Sequence, residues 1–326
     1  MATRSTKIDL QIREFNGSDQ DYATAVTIAN RVWPDYPDTV AEWRHRDERR
    51  AAKLKWRRYL AFLDGEPVGL ATYRQLLWMY HPHKFWIGVN VLPEHRRQGI
   101  GTALYQHLLQ ELAPHDPVAL MTGTREDYQE SVRFLLHRGF QEAQRQWESV
   151  LEVSAFDPAP FAGLAEKVAA QGIQIRTVRE LESDPERDRK LYELEAALEA
   201  DVPSSEPTTM PEFEEWQKVW DNPNLLPDGW FVAVHQGQYV GMSVLWGSQA
   251  SRDLYTGLTG VRREHRRKGI ATAMKLRAIA YAQSVGAPRI RTWNEVNNQG
   301  MLSINVRLGF VRQPASIDFV KKLREE

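Results

Sequence analysis

The chain has 326 residues, 42% of them apolar and 26% charged, with 42 Lys and Arg against 43 Asp and Glu and no cysteine. That composition describes a folded protein with length for two cores, and its near-balanced charge excludes a global field that would draw it to nucleic acid or an anionic membrane. The lack of cysteine removes disulfides, thiolate metal sites and a cysteine nucleophile together, so the chemistry uses oxygen and nitrogen groups.

The opening MATRSTKIDLQIREF has no apolar signal core, and no stretch reaches the roughly 18 apolar residues of a membrane helix, so the cytoplasm is the expected location. QIREF (Gln11 to Phe15) alternates like a strand, and helical stretches follow at Gly17 to Arg31 and Thr39 to Arg58. LDGEPVGLATY (Leu63 to Tyr73) reads as a hairpin around a Gly turn. FWIGVNVL (Phe85 to Leu92) is strand-like, PEHRRQGIG a polar loop and TALYQHLLQELA a helix. Asp157-Pro158-Ala159-Pro160 then breaks the chain, and Phe161 to Gln171 reads as a helix stopped by Gly172.

The second half repeats this order. QIRTV (Gln174 to Val178), helical stretches at Asp184 to Ala200 and Pro211 to Trp220, and the hairpin HQGQYVGMSVL (His235 to Leu245) precede the strand LYTGLTGV (Leu254 to Val261), the loop RREHRRKGIA and a helix from Thr272. That helix is expected to place Ala273, Leu276, Ala280 and Val285 on its apolar face and to end at Gly286. VLPEHRRQGIGTAL from Val91 and VRREHRRKGIATAM from Val261 agree at nine of fourteen positions, and HRGF at His137 answers RLGF at Arg307, both pairs 170 residues apart. Two mixed α/β domains follow, 1–154 and 173–326, joined by a linker at 155–172 with one short helix.

Strand, Gly-containing loop and helix N-terminus form an anion receptor from free backbone N–H groups and the helix dipole, with Arg96 and Arg97, or Arg266, Arg267 and Lys268, adding charge. Neither copy has the spacing of a nucleoside-triphosphate loop or a dinucleotide fingerprint. The pattern R-x-x-G-x-G/A, at Arg96, Gly99 and Gly101 and again at Arg266, Gly269 and Ala271, resembles the pyrophosphate motif of the GNAT acetyltransferase superfamily. The downstream Asn294, Asn297, Asn298, Met301, Asn305 and Leu308 to Phe310 are similar to the family's second cofactor-contacting helix. The resemblance covers both halves and points to the tandem GNAT subgroup, of which mycothiol synthase is one example.

The resemblance implies an α+β mixed sheet in each domain, acetyl-CoA as cofactor, and transfer of acetyl to a primary amine by direct attack in a ternary complex. It also implies that coenzyme A lies on Leu258, Thr259, Gly260 and Val261, on the loop Arg266, Arg267, Lys268, Gly269, Ile270, Ala271 and Thr272, and on Asn298 and Asn305. The N-terminal counterparts are Val89, Asn90 and Val91 with Arg96, Arg97, Gln98, Gly99, Ile100, Gly101 and Thr102. Many members carry an acid tyrosine four residues before the Gly of GF, where this chain has Leu135 and Asn305. The asparagines of the C-terminal half make it the better candidate for catalysis. Asp253, Tyr255 and Glu295 are the candidates for proton transfer, and Asp201 and Glu206, in the polar stretch Glu199 to Phe213, for holding a cationic acceptor. The contrasting reading is a non-catalytic acyl-CoA sensor. The expected partners are a small-molecule or peptide amine, without metal, nucleic acid or membrane, for a chain acting as a monomer or homodimer. His81 to His83 reads as a hairpin end and not a metal site, since no partner cluster accompanies it.

Overall fold

A computed structural model describes residues 9–204 and 206–324; Ser205, within the stretch expected to face the acceptor, lies outside the described residues. In chain order the elements begin with β1 (Leu10–Glu14), α1 (Asp19–Val32), α2 (Val40–Glu48), β2 (Trp56–Leu63), β3 (Glu66–Arg74), β4 (Lys84–Val91), α3 (Ile100–Leu112), β5 (Ala119–Arg125) and α4 (Gln129–Leu136). They continue with β6 (Gln141–Glu152), α5 (Leu164–Ala169), β7 (Ile173–Thr177), α6 (Arg187–Glu199), α7 (Phe213–Trp216), β8 (Leu225–His235), β9 (Gln238–Trp246) and β10 (Leu254–Val261). Last come α8 (Ile270–Ser284), β11 (Arg289–Glu295), α9 (Gln299–Arg307), β12 (Val311–Arg312) and β13 (Ser316–Lys322).

The chain packs as two compact units: unit 1 takes residues up to 124, 130–143 and those from 318 on, and unit 2 takes 125–129 and 144–317. In unit 1 the strand order is β1-β2-β3-β4-β5-β13, antiparallel as far as β4 and parallel between β4 and β5. In unit 2 it is β7-β8-β9-β10-β11-β6, antiparallel as far as β10, parallel between β10 and β11, and antiparallel between β11 and β6. Each unit is a mixed α/β fold, as the pattern of the sequence predicts. The compact units do not coincide with the repeat ranges 1–154 and 173–326, because residues 144–152 pack in unit 2 and residues 318–322 in unit 1.

Local chemistry explains most elements. Ser18 caps α1 by accepting from the Asp21 N–H at 3.2 Å, and Thr39 with Glu42 forms a capping box at the start of α2. The helical expectation over Thr39 to Arg58 holds only as far as Glu48. Trp56 onward is drawn into β2 by pairing with β3 across the Asp64-Gly65 turn, whose φ values of 50° and 87° need two left-handed residues. Of the stretch Pro211 to Trp220, only Phe213–Trp216 is α-helical, and a 3-10 turn follows at Gln217–Asp221.

α1 buries Ala25, Ile28 and Val32 against Leu60, Leu70 and Leu92 in unit 1. In unit 2, α8 buries Ala273, Met274, Ala278, Ile279 and Ala282, whereas Ala280 and Val285 are exposed, against expectation. Apolar residues occur all round α8, so periodicity does not choose its face. Gly286, at φ 66°, ends the helix as expected, with Ala287 N–H donating to Ala282 O at 2.9 Å. Among the described residues no helix is long and apolar enough to cross a membrane, and no group of His, Asp and Glu could hold a metal ion.

Candidate active site

The two Arg-Gly loops have the same backbone conformation. Gly99 sits at φ 85°, ψ −11° and Gly269 at φ 85°, ψ 0°; Arg97 and Arg267 are left-handed too, at φ 64° and 65°. Arg96 Nε donates to Val91 O at 3.3 Å and Arg266 Nε to Val261 O at 2.9 Å, tying each loop to the end of its strand. These turns leave the amides of Gln98, Gly99, Ile100 and Gly101, and of Lys268, Gly269, Ile270 and Ala271, without an acceptor among the described residues. Four adjacent free donors at the N-terminus of a long helix are the donor set of an anion cradle.

Beside each loop the parallel strand pair splays. β4 and β5 are in register only at Lys84, Phe85 and Trp86, and β10 and β11 only at Leu254 and Tyr255, so the rest of β4 and of β10 runs free of that neighbour. The units then differ. β4 pairs with β3 in unbroken register from Arg74↔Trp86 to Gly69↔Val91. β10 shifts register against β9 between Thr256 and Thr259, a β-bulge at Gly257 and Leu258. Such a bulge holds an unpaired residue and re-aims the main chain. Glycine is required there, since a Cβ on Gly257 would lie 2.6 Å from Trp246 Nε1.

The unit 2 loop has further supports. Asp201 accepts from Arg263 Nε at 2.9 Å and also from Arg266, and those hydrogen bonds, led by Arg263, hold its carboxyl below the usual range. The structure thus places Asp201 on the loop. Gln171 Nε2 donates to Lys268 O at 3.2 Å, and a Cβ on Gly269 would lie 2.9 Å from Leu164 Cδ1 of α5. In unit 1, nothing lies within 4 Å of the Cβ position of Gly99. Glu206 is half-buried on the segment after α6.

The other sequence candidates are dispersed. Asp253 is 3% exposed and bound to two arginines, at 3.0 Å from Arg289 Nε and 2.8 Å from Arg291 Nε; Arg291 also donates to Glu148 at 2.8 Å. Burial opposes the charge on Arg291, but the hydrogen bonds of Asp253 and Glu148 prevail and raise its pKa. Tyr255 stacks on Trp293, with ring centroids 6.2 Å apart at 5°. Glu295, at the C-terminal end of β11, accepts from the Asn297 N–H at 2.6 Å and side-chain amide at 2.9 Å. Asn298 is the N-cap of α9, its Oδ1 accepting from the Met301 N–H at 3.2 Å. Asn305 is buried, its amide donating to Asn294 Oδ1 at 2.6 Å while its own Oδ1 has no partner among the described residues. On β10, Thr259 meets Ser243 at 3.0 Å, and on β4, Asn90 accepts from Trp33 Nε1 at 3.0 Å.

Sequence reasoning missed Lys275, which lies wholly inside unit 2 on α8 and whose amine is pushed down to about 8 by burial. It named Tyr255 but missed that Trp246 and Trp293 stand in a row with it. Nothing in the chain's local pattern marks that row, because it is assembled across three strands.

The Acetyltransferase (GNAT) family model matches the chain twice, at residues 24–140 and 189–310. No curated protein sequence matches it. Among solved structures, the tandem GNAT protein from the clavulanic acid biosynthesis pathway, in its form without AcCoA, is similar at 19% identity and TM-score 0.76, covering 98% of this chain and 100% of that one. A GCN5-related N-acetyltransferase from Sphaerobacter thermophilus is similar at 20% identity and TM-score 0.70, over 97% and 96% of the two chains. A glucosamine N-acetyltransferase region of a fungal multi-domain GH3 β-N-acetylglucosaminidase reaches TM-score 0.70 at 12% identity, over 96% of this chain and 38% of that one. With duplicated loops, splayed strand pairs and two matches that together span most of its length, the chain belongs to the acetyltransferase (GNAT) family and carries two GNAT domains.

Proposed function

We propose that the protein is an N-acetyltransferase whose C-terminal GNAT domain, in unit 2, moves the acetyl group of acetyl-CoA to a primary amine. The observation that carries this reading is the bulge at Gly257 and Leu258, located where β10 has parted from β11. The residues there fit coenzyme A: free loop amides from Lys268 to Ala271 suit a pyrophosphate, and the open edge of β10 suits an extended amide chain. When bound, the cofactor supplies an acyl group already activated as a thioester.

The protein's part is orientation and polarisation. A main-chain N–H freed by the bulge is fixed in place before reaction, so it stabilises developing negative charge on the acyl oxygen without reorganising. Tyr255, Trp293 and Trp246 form an aromatic wall for the acceptor. Glu295, at the mouth of the splay, is assigned the amine proton. Asp253 is assigned a structural role, because two arginines already hold its carboxylate in a buried network. Asn305 at the tyrosine position offers hydrogen bonds but no proton, so the leaving thiolate departs to solvent.

Unit 1 is assigned binding without turnover, since its loop is formed while its β4 carries no bulge. The test is thiol release from acetyl-CoA across a panel of primary amines. Amine-dependent release by wild type and by Gly99→Asp supports the reading. Tight acetyl-CoA binding with no release for any amine would leave only the sensor.

A further inference from the structure

We propose that unit 1 holds an ammonium-binding site of its own, formed by the Asp318 carboxylate and the Trp86 indole over Gly123. Ile317 and Phe319 of β13 are 3% and 2% exposed, so alternation turns Asp318 to the opposite face. Phe85 and Ile87 are buried in the same way, which puts Trp86 on the face of Asp318. A Cβ on Gly123 would lie 3.1 Å from Asp318 Oδ1 and 3.2 and 3.4 Å from Trp86 Cζ2 and Cη2. Carboxylate and indole therefore lie side by side against Gly123 of β5, so close that even a methyl group there would crowd both.

Asp318 has no hydrogen-bond or ion-pair partner among the described residues, and burial alone raises its carboxyl to about 6. Unit 2 shows what the same position needs. Glu148, 170 residues earlier, is 1% exposed and is neutralised by Arg291 at 2.8 Å. The residue of unit 1 that answers Arg291 is Met121. Unit 1 has the carboxylate without its cation, and a half-buried carboxylate lacking a counter-charge is costly until a cation is supplied. An alkylammonium supplies it in three N–H donors, and the adjacent indole π-system favours it over a fully hydrated metal ion.

The probe is methylammonium chloride, added to the full chain while the Trp86 indole 15N–1H resonance is followed, with sodium chloride at equal ionic strength as reference. Trp86→Phe assigns the resonance. A saturable shift with methylammonium, absent with sodium and weakened at least tenfold in Asp318→Asn, is the expected result. The other indole resonances report whether Asp318→Asn remains folded. No shift, an equal response to sodium, or undiminished binding in folded Asp318→Asn would each overturn the proposal.

Discussion

The two loop glycines share φ 85° and differ by 11° in ψ, yet the sheet surfaces beside the loops differ far more. Across unit 2, on the face turned to α6, the row is Trp246, Tyr255 and Trp293, all aromatic, with the charged groups gathered into the buried set Asp253, Arg291 and Glu148. Across unit 1 the matching row is Arg74, Trp86 and Gly123, with Asp318 next to it. Duplication preserved the Arg-Gly loop, and divergence fell on the sheet surface beside it. This is the expected division, because a loop that binds through main-chain N–H groups tolerates change elsewhere, whereas selectivity depends on side chains.

Four substitutions sharpen the contrast. Arg291→Met copies the Met121 of unit 1 into unit 2, removing the guanidinium that bridges the buried carboxylates of Asp253 and Glu148 and leaving Asp253 to Arg289. It should cost about 3–5 kcal/mol, read as faster hydrogen exchange of the β11 amides, whereas Met121→Leu should cost less than about 1.5 kcal/mol. If Arg291→Met is neutral, the buried network does not hold unit 2 together. Gly257→Ala drives a methyl into Trp246 and disturbs the bulge, so kcat should fall roughly 100- to 1,000-fold. Gly88→Ala on β4 should leave turnover within about twofold, and equal losses would erase the functional distinction between units.

Lys275→Met removes a buried amine whose protonation folding opposes. At pH 7 the wild type is charged in both states and bears the cost, so the variant should be more stable by about 3 kcal/mol. The depressed pKa means that the unfolded chain binds more protons between about 8 and 10.5. Wild-type stability should therefore climb through that window while the variant's stays flat. Denaturation at pH 7 and 10.5 checks the sign. The smallest effect is expected of Asn298→Ala, about 1 kcal/mol from a lost N-cap, with acetyl-CoA affinity unchanged. A weaker Kd at unaltered stability would instead return Asn298 to the cofactor.

The loops, hairpins and paired domains were legible because each is encoded within a few consecutive residues: the Gly positions, the Arg pairs and the strand before them. What escaped depends on register between strands distant in sequence. Asp253 looks like an available carboxylate until β11 brings Arg289 and Arg291 to it. Asp201 looks like an acceptor ligand until the chain folds it onto Arg263 and Arg266. Asn298 matches a family position yet uses its side chain to start a helix. The bulge leaves no mark beyond one glycine in LYTGLTGV.

The placement of residues 318–322 in unit 1 has a consequence for biosynthesis. During translation the first GNAT domain emerges long before the strand that lies next to β5, because that strand follows the whole of the second domain. Until then β5 presents an open edge, so the nascent first domain waits, incomplete and prone to mispairing, while the second domain is made. Removing β13 would therefore damage the first domain, although the second lies between the two in the chain.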